Sequence, residues 1–481
     1  MPFLKHEQQN SGPAIPLWRD PAKLFLLLGL CSGLVLVFLL PPYQVADEWR
    51  HFYRAWQLAS GTLLGSGLGD DVPRELHRLT WETESFYGLP TREPRSWQEA
   101  GEFLQRMAGL RLDAADLIYV SFPTVLYAPV PYLGMTAAVG LARMLTASPL
   151  LLMYAGRLGA LALALGLTWH AIRRAPFAKW AFFLMALTPV IAFQRAGMSA
   201  DSFINSLAMV HVALVMELAC VPDRKVKPAD LFRLGIVTLA LCLCKQAYLF
   251  LPLLHFVIAG DRFVRPGDRR IVRYWLPLLG WAAAVWWAST VMRENYEPMK
   301  PGTDAMGQLR WILIHPLQYL MVLNHDFIVH GRQYLHELIG TLGWLDLPAP
   351  EWLVLTHAAA LAAVTVGDGP FRERLTLFLR TWAALILVVS LCFVWTLMYL
   401  WWAPVGAPGL AGMQGRYFAP FLPLLSLIIA VSKRTGGEYP KTIGGTAGSL
   451  RSGFWLPLLG GGYGLFLTLE TIFRVAGHHY R

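Results

Sequence analysis

Long apolar runs joined by short polar connections make up most of the chain. The first, Lys23 to Leu40, follows Lys5, Arg19 and Lys23 and stops at Pro41-Pro42-Tyr43 without a small-residue cleavage site. About 20 apolar residues cross a bilayer, so this run reads as a retained signal anchor whose basic flank places the N-terminus in the cytoplasm. Further runs occupy 122–146, 149–170, 178–196, 203–220, 231–244, 247–260, 274–292, 351–368, 376–400, 417–432 and 454–473. The basic connections between them are Arg173, Arg174 and Lys179; Arg224, Lys225 and Lys227; Arg262 through Arg273; Arg372 and Arg374; and Lys433 and Arg434. All are expected on the cytoplasmic side. Parity then makes 122–146, with Pro123, Pro129 and Pro131, an interfacial or re-entrant helix, unless one basic loop breaks the rule. It also makes 231–260 two half-length helices that go out and return, with Lys245-Gln246 at the tip.

The pattern predicts an all-α polytopic membrane protein with about eleven crossings and an external C-terminus. Its divisions are a cytoplasmic N-terminus 1–21, a first transmembrane helix 22–40, an external loop 41–148 with juxtamembrane helices, and a transmembrane bundle 149–292. An external loop 293–350, C-terminal transmembrane helices 351–473 and a tail 474–481 follow. The glycine-rich stretch 435–453 reads as a cytoplasmic linker, because it lacks the Lys-Ser/Thr of a phosphate loop.

Composition agrees. Hydrophobic residues make up 55% and charged residues 15% of 481, and the mean hydropathy is +0.44, which excludes an ordinary soluble enzyme or a disordered chain. The net charge of +10 is no nucleic-acid signature, since much of it sits in the short basic connections. Cys31, Cys220, Cys242, Cys244 and Cys392 lie in or beside apolar runs, which argues against a disulfide framework.

Candidate chemistry lies in the expected external segments. Residues 44–56 read as an amphipathic helix, with Trp49, Phe52, Tyr53 and Trp56 on a face suited to lie on the membrane and Asp47, Arg50, His51 and Arg54 opposite. An acidic pair, Asp47-Glu48, beside cations at the membrane boundary fits a site for an anionic lipid-linked substrate; a helix cap with solvated charges is the competing reading. Thr62 to Asp116 reads as a solvated excursion, and no chemistry is assigned to Asp70, Asp71, Glu82 or Glu84. Further polar points are Gln194 to Ser202, where Ser199 or Asp201 would cap a helix or serve a site, and Asn324-His325-Asp326. Two more are Gly340 to Pro348 and Gln414 to Pro420, the last with a phosphate-competent Arg416. Lys245 within an apolar fold needs an anion or a water-filled cavity, a snorkelling interfacial lysine being the competing reading. A divalent ion shared by Asp47, Glu48 and His51 is a weaker reading, because no HExxH or paired Cys/His motif accompanies it.

At these points the sequence resembles a bacterial family of multi-pass membrane proteins, domain of unknown function 2142. The resemblance rests on Pro41-Pro42 through Asp47-Glu48 to His51 and Arg54, on Ser199-Ala200-Asp201, and on Lys245. It continues through Gly340 to Asp346 and Gln414-Gly415-Arg416-Tyr417 to Pro420. Arg50 departs from the small or apolar residue of many relatives. The family is similar to the GT-C membrane glycosyltransferases, which implies a bacterial inner-membrane protein acting at the periplasmic face. The implied partners are a polyprenyl-phosphate sugar donor, membrane lipids and a glycan, lipid or protein acceptor, with no nucleic acid. Asp47 and Glu48 match the superfamily's acidic motif and would be catalytic, and Asp201 resembles its second acidic position. His51, Arg54, Asp201, Lys245, Asp346, Arg416 and Tyr417 would bind substrate. Trp344, Trp401 and Trp402 are candidate stacking residues. The competing function classes are a transporter or lipid flippase and a non-catalytic subunit of polysaccharide assembly; the first needs internal repeats and charges along a path through the bilayer.

Overall fold

The computed structural model describes residues 16–295, 302–369, 375–431 and 449–481. Lys5, Arg372, Arg374, Lys433, Arg434 and the glycine-rich stretch up to Gly448 lie outside them; of the linker expected over 435–453, residues 449–453 are already helical.

Helix α1, Pro21–Leu39, starts where the Asp20 carboxylate accepts from the Ala22 and Lys23 amides at 3.0 and 3.2 Å, and Pro41-Pro42 prevents its continuation. Helix α2, Glu48–Ala59, follows a tight turn. Residues 62–148 hold α3, Arg74–Tyr87, α4, Trp97–Ala108, and α5, Leu133–Ala142. An antiparallel pair, β1 Gly69–Pro73 and β2 Leu117–Ser121, is a small β addition to an otherwise helical protein. This segment is no loose excursion. Leu76, Leu79, Tyr87, Phe103 and Met107 are buried, and the segment folds over α2.

Then come α6, Pro149–Arg174, α7, Lys179–Ala186, α8, Pro189–Ala196, α9, Ala200–Cys220, and α10, Pro228–Cys244. After 3-10 turns over 246–262 follow α11, Pro266–Arg270, α12, Leu276–Asn295, α13, Ala305–Ile314, and α14, Pro316–Ile339. The chain closes with α15, Glu351–Gly367, α16, Leu377–Trp402, a 3-10 segment Gly415–Leu424, α17, Leu425–Ile428, and α18, Ser449–His479.

Among the described residues six helices are long and apolar enough to cross a membrane, or seven if the bent pair α13 and α14 counts as one span. The expected run 178–196 is broken between α7 and α8, where Pro189 cannot donate an amide to the preceding turn. The run 417–432 is largely 3-10 with Pro420 and Pro423 inside it, and 122–146 holds only two 3-10 turns and the ten-residue α5. The segment 293–350, expected as a loop, is mostly helical, with α13 and α14 meeting at 107° beside Pro316. No separate tail exists, because α18 runs on through Arg474 to His479.

Contacts sort the elements into two ends. At one end Tyr480 donates to the Leu39 carbonyl at 2.8 Å, and Arg95 exchanges backbone hydrogen bonds with His479 and Arg481, so the C-terminus and residues 41–148 share it. At the other, Arg174 pairs with Glu217 at 3.0 Å, Arg262 donates to the Val221 carbonyl, and Arg380 donates to the carbonyls of Ile428 and Ala430. The basic connections among the described residues gather at this second end. Helix α9 joins the two ends through the middle of the bundle and, among the described residues, is the most enclosed of the long apolar helices.

Candidate functional site

An arginine in the apolar run of α6 organises the first end. Arg157 is fully buried and uses all its N–H groups: Nε and Nη2 donate to the two oxygens of Glu48 at 2.7 Å each, Nη1 to the Val37 and Leu40 carbonyls at 2.8 and 2.7 Å, and Nη2 to Pro41 at 2.9 Å. The Val37 carbonyl is one of those left without an intrahelical partner at the end of α1, and Leu40 and Pro41 follow directly on the helix. Glu48 also accepts the Met198 amide at 2.9 Å. The turn carrying Met198 comes this close because residue 197 is glycine, whose Cβ would stand 2.4 Å from Val45. One buried ion pair therefore ties α1, α2, α6 and the turn before α9 together. Glu48, expected as a catalytic residue, is enclosed and fully engaged here, and in this arrangement it holds its neighbours.

Those neighbours carry the exposed chemistry. Asp47 has left-handed backbone, φ 63°, a conformation costing roughly 1–2 kcal/mol outside glycine and eased for Asp. Its side chain makes no capping bond, so the competing cap reading fails. The carboxylate stands between Arg50 Nη1 at 2.5 Å and Arg416 Nη2 at 3.8 Å, and is 33% exposed against 12% for Arg416. Nearby, Ser199 is the residue that caps α9, which leaves the Asp201 carboxylate for Lys245 Nζ at 2.5 Å and Gln194 Nε2 at 3.4 Å. Gln194 is itself held by Asn205 at 3.1 Å. Lys245 ends α10 and lies 5.6 Å from the Tyr127 ring and 5.7 Å from that of Tyr417, whose carbonyl accepts from Tyr248.

His51 completes the cluster. It is buried, its Nδ1 lies 2.7 Å from the Tyr132 hydroxyl, and burial pushes its pKa down to about 4; Asp47 and Asp201 oppose this, while Lys245 and Arg416 reinforce it. The imidazole is neutral at pH 7. With the folded value below the ordinary 6.5, the unfolded chain binds more protons between these values, so His51 contributes stability above pH 6.5 that is lost as pH falls towards 4. Replacing His51 by glutamine should flatten the acid limb of stability against pH, by up to about 3 kcal/mol. Coincident limbs for wild type and variant in detergent would refute this.

Other expected site residues stand elsewhere. Arg54 is fully buried and structural, donating to Gln57, to the Leu63 carbonyl at 3.1 Å and to the Tyr127 carbonyl at 2.7 Å. Phe52, Tyr53 and Trp56 face the protein interior, with Tyr53 on Thr80 at 2.6 Å and against Phe122, and do not lie on a membrane surface. Asp346 is bound by the Trp344 amide at 2.7 Å and His478 at 2.9 Å; burial opposes its ionisation, but these donors hold its pKa below the ordinary value. It clamps a turn to α18. Trp344 donates to the Tyr43 carbonyl at 3.1 Å, which ties that turn to the Asp47 region. The proposed ion site of Asp47, Glu48 and His51 is not assembled, since Glu48 turns to Arg157 and His51 to Tyr132, and among the described residues no three His, Cys, Asp or Glu side chains group for a metal.

Helix α14 sets Arg416. Asp326, buried, accepts from Tyr334 and Trp395 at 2.8 Å each and from His330 at 3.0 Å, and Tyr334 and Trp395 pack on Phe418. Glu337 accepts the Gly415 amide at 2.7 Å, and a Cβ at Gly415 would lie 1.9 Å from the Tyr334 carbonyl. Alanine at 415 is expected to push this strap off α14, lowering stability by about 1–3 kcal/mol and displacing Arg416. An unchanged unfolding midpoint would contradict the close approach.

Sequence reasoning missed Arg157, although an arginine inside an apolar run is the signal. Tyr127 and Tyr132 carried none. A family described as predicted membrane protein (DUF2142) matches residues 30–425. The chain belongs to this family. The match takes in every member of the DUF2142 cluster from Asp47 to Tyr417 and stops at the start of α17, before α18. No curated protein and no solved structure matches the chain.

Proposed function

We propose that this DUF2142 protein is an inner-membrane glycosyltransferase that moves a sugar from a polyprenyl-phosphate donor to a cell-envelope glycan, lipid or protein acceptor at the periplasmic face. The observation that carries the reading is the convergence of Asp47 and Asp201, from segments far apart in sequence, with Lys245 and Arg416 at one end of the bundle. The acceptor hydroxyl attacks the anomeric carbon as the bond to the phosphate oxygen breaks, and the phosphate leaves with the electron pair. Asp47 takes the hydroxyl proton, and Arg416 and Lys245 stabilise the charge gathering on the leaving phosphate. Attack opposite the leaving group inverts the anomeric centre. Asp201 fixes Lys245, neutral His51 supplies a hydrogen bond, and Tyr127 and Tyr417 offer aromatic faces to the sugar.

The gathering of these groups at one end favours transfer over transport, which needs charges along a path. Purified protein should consume a radiolabelled polyprenyl-phosphate sugar in a screen of donor classes. Absence of transfer both to acceptors and to water, for every donor, would leave the non-catalytic subunit as the better reading.

A further inference from the structure

The opposite, basic end holds a cavity of about 530 Å³ where the end of α9, the 3-10 turns after Lys245 and the start of α16 meet. Lys225, Arg262 and Arg273 line it. Each is steadied by a backbone carbonyl and not by a carboxylate: Lys225 donates to Asp261 at 2.6 Å, Arg262 to Val221 at 2.6 Å and Arg273 to Ile258 at 2.5 Å. Neighbouring arginines behave differently, with Arg174 and Arg224 on Glu217, and Arg224 and Arg233 on Asp230. Among the described residues the three cavity cations have no ion-pair partner, although Asp223 and Asp261 also line the space. Three cations against two carboxylates leave a positive excess. The Nε atoms of Arg262 and Arg273 are in addition buried without an acceptor.

The other wall is apolar. Phe256 and Phe378 flank Trp382, at ring distances of 5.7 and 5.9 Å, and Phe378 is 54% exposed, so the aromatic wall continues from the cavity to the outside of the bundle. A cationic mouth joined to an apolar wall matches a phosphate that carries a hydrocarbon chain.

We propose that this cavity binds the phosphate headgroup of an anionic membrane lipid. The phosphate sits among Lys225, Arg262 and Arg273, and the first part of the acyl chain lies along Phe256 and Phe378. Arginine forks suit phosphate oxygens, and carbonyl-anchored guanidinium groups lose little freedom on binding it. The site is independent of the transferase reading and stands at the other end of the bundle.

The test is native mass spectrometry of the full-length protein in detergent, titrated with phosphatidylglycerol or phosphatidylcholine, with inorganic phosphate as competitor. Phosphatidylglycerol should be retained about 10-fold better than phosphatidylcholine, and this preference should vanish in Arg262→Gln/Arg273→Gln. Because those arginines also hold carbonyls, Ala259→Trp serves as a second variant that fills the lining and keeps every charge; it too should lose the adduct. Equal retention of the two lipids, or an undiminished phosphatidylglycerol adduct in Ala259→Trp, overturns the proposal. Displacement of the lipid by equimolar inorganic phosphate overturns the lipid assignment and leaves a site for the free anion.

Discussion

Arg157→Met is expected to lower stability by about 3–5 kcal/mol, enough to remove most folded protein from the membrane, because it strands the buried Glu48 carboxylate and the carbonyls of Val37, Leu40 and Pro41. Glu48→Gln should act in the same direction, since it leaves the buried guanidinium without its anion. Removing both charges in Arg157→Met/Glu48→Gln should recover part of the loss, because no unpaired charge then remains inside. Thermal unfolding in detergent reads each variant. Were Glu48→Gln to unfold at the wild-type midpoint while losing transfer, Glu48 would belong to the chemistry and its structural assignment would fall.

Asp47→Asn has the opposite signature. Asparagine tolerates the left-handed backbone at 47, and the lost partners are the partly exposed Arg50, an interaction worth only about 0–1 kcal/mol, and the more distant Arg416 at 3.8 Å. Folding should survive. If Asp47 takes the acceptor proton, transfer should fall by about 10²–10⁴-fold, the range for a positioned general base. Turnover of a radiolabelled polyprenyl-phosphate sugar, measured beside the unfolding midpoint, separates this variant from those of Glu48. Full turnover in Asp47→Asn with undisturbed folding would remove Asp47 from the mechanism and leave Asp201 as the remaining carboxylate of the cluster.

The contrast between residues 47 and 48 shows how far sequence reading reached. Both were legible as acids at a membrane boundary, because a charged pair directly after an apolar run stands out on any hydropathy pattern. Which one faced the open was not legible. Asp47 sits with left-handed backbone just before α2 while Glu48 opens the helix, and only the position of Arg157 from α6 decides that Glu48 turns inward. The amphipathic reading of 44–56 went astray for the same reason. Its aromatic face was correct in periodicity, but residues 62–148 cover α2, so the apolar partner is protein and not lipid.

By itself the sequence determined that this is a helical membrane protein and where most long apolar segments lie, since span length and backbone satisfaction in lipid depend on local composition. It also singled out Asp47, His51, Asp201, Lys245 and Arg416. Only the tertiary structure decided that these five converge while Glu48, Arg54 and Asp346 serve as fasteners. Convergence across α2, α9, α10 and the strap after Gln414 depends on packing contacts such as Gly197 on Val45 and Gly415 on Tyr334, and no local pattern encodes which distant surfaces meet.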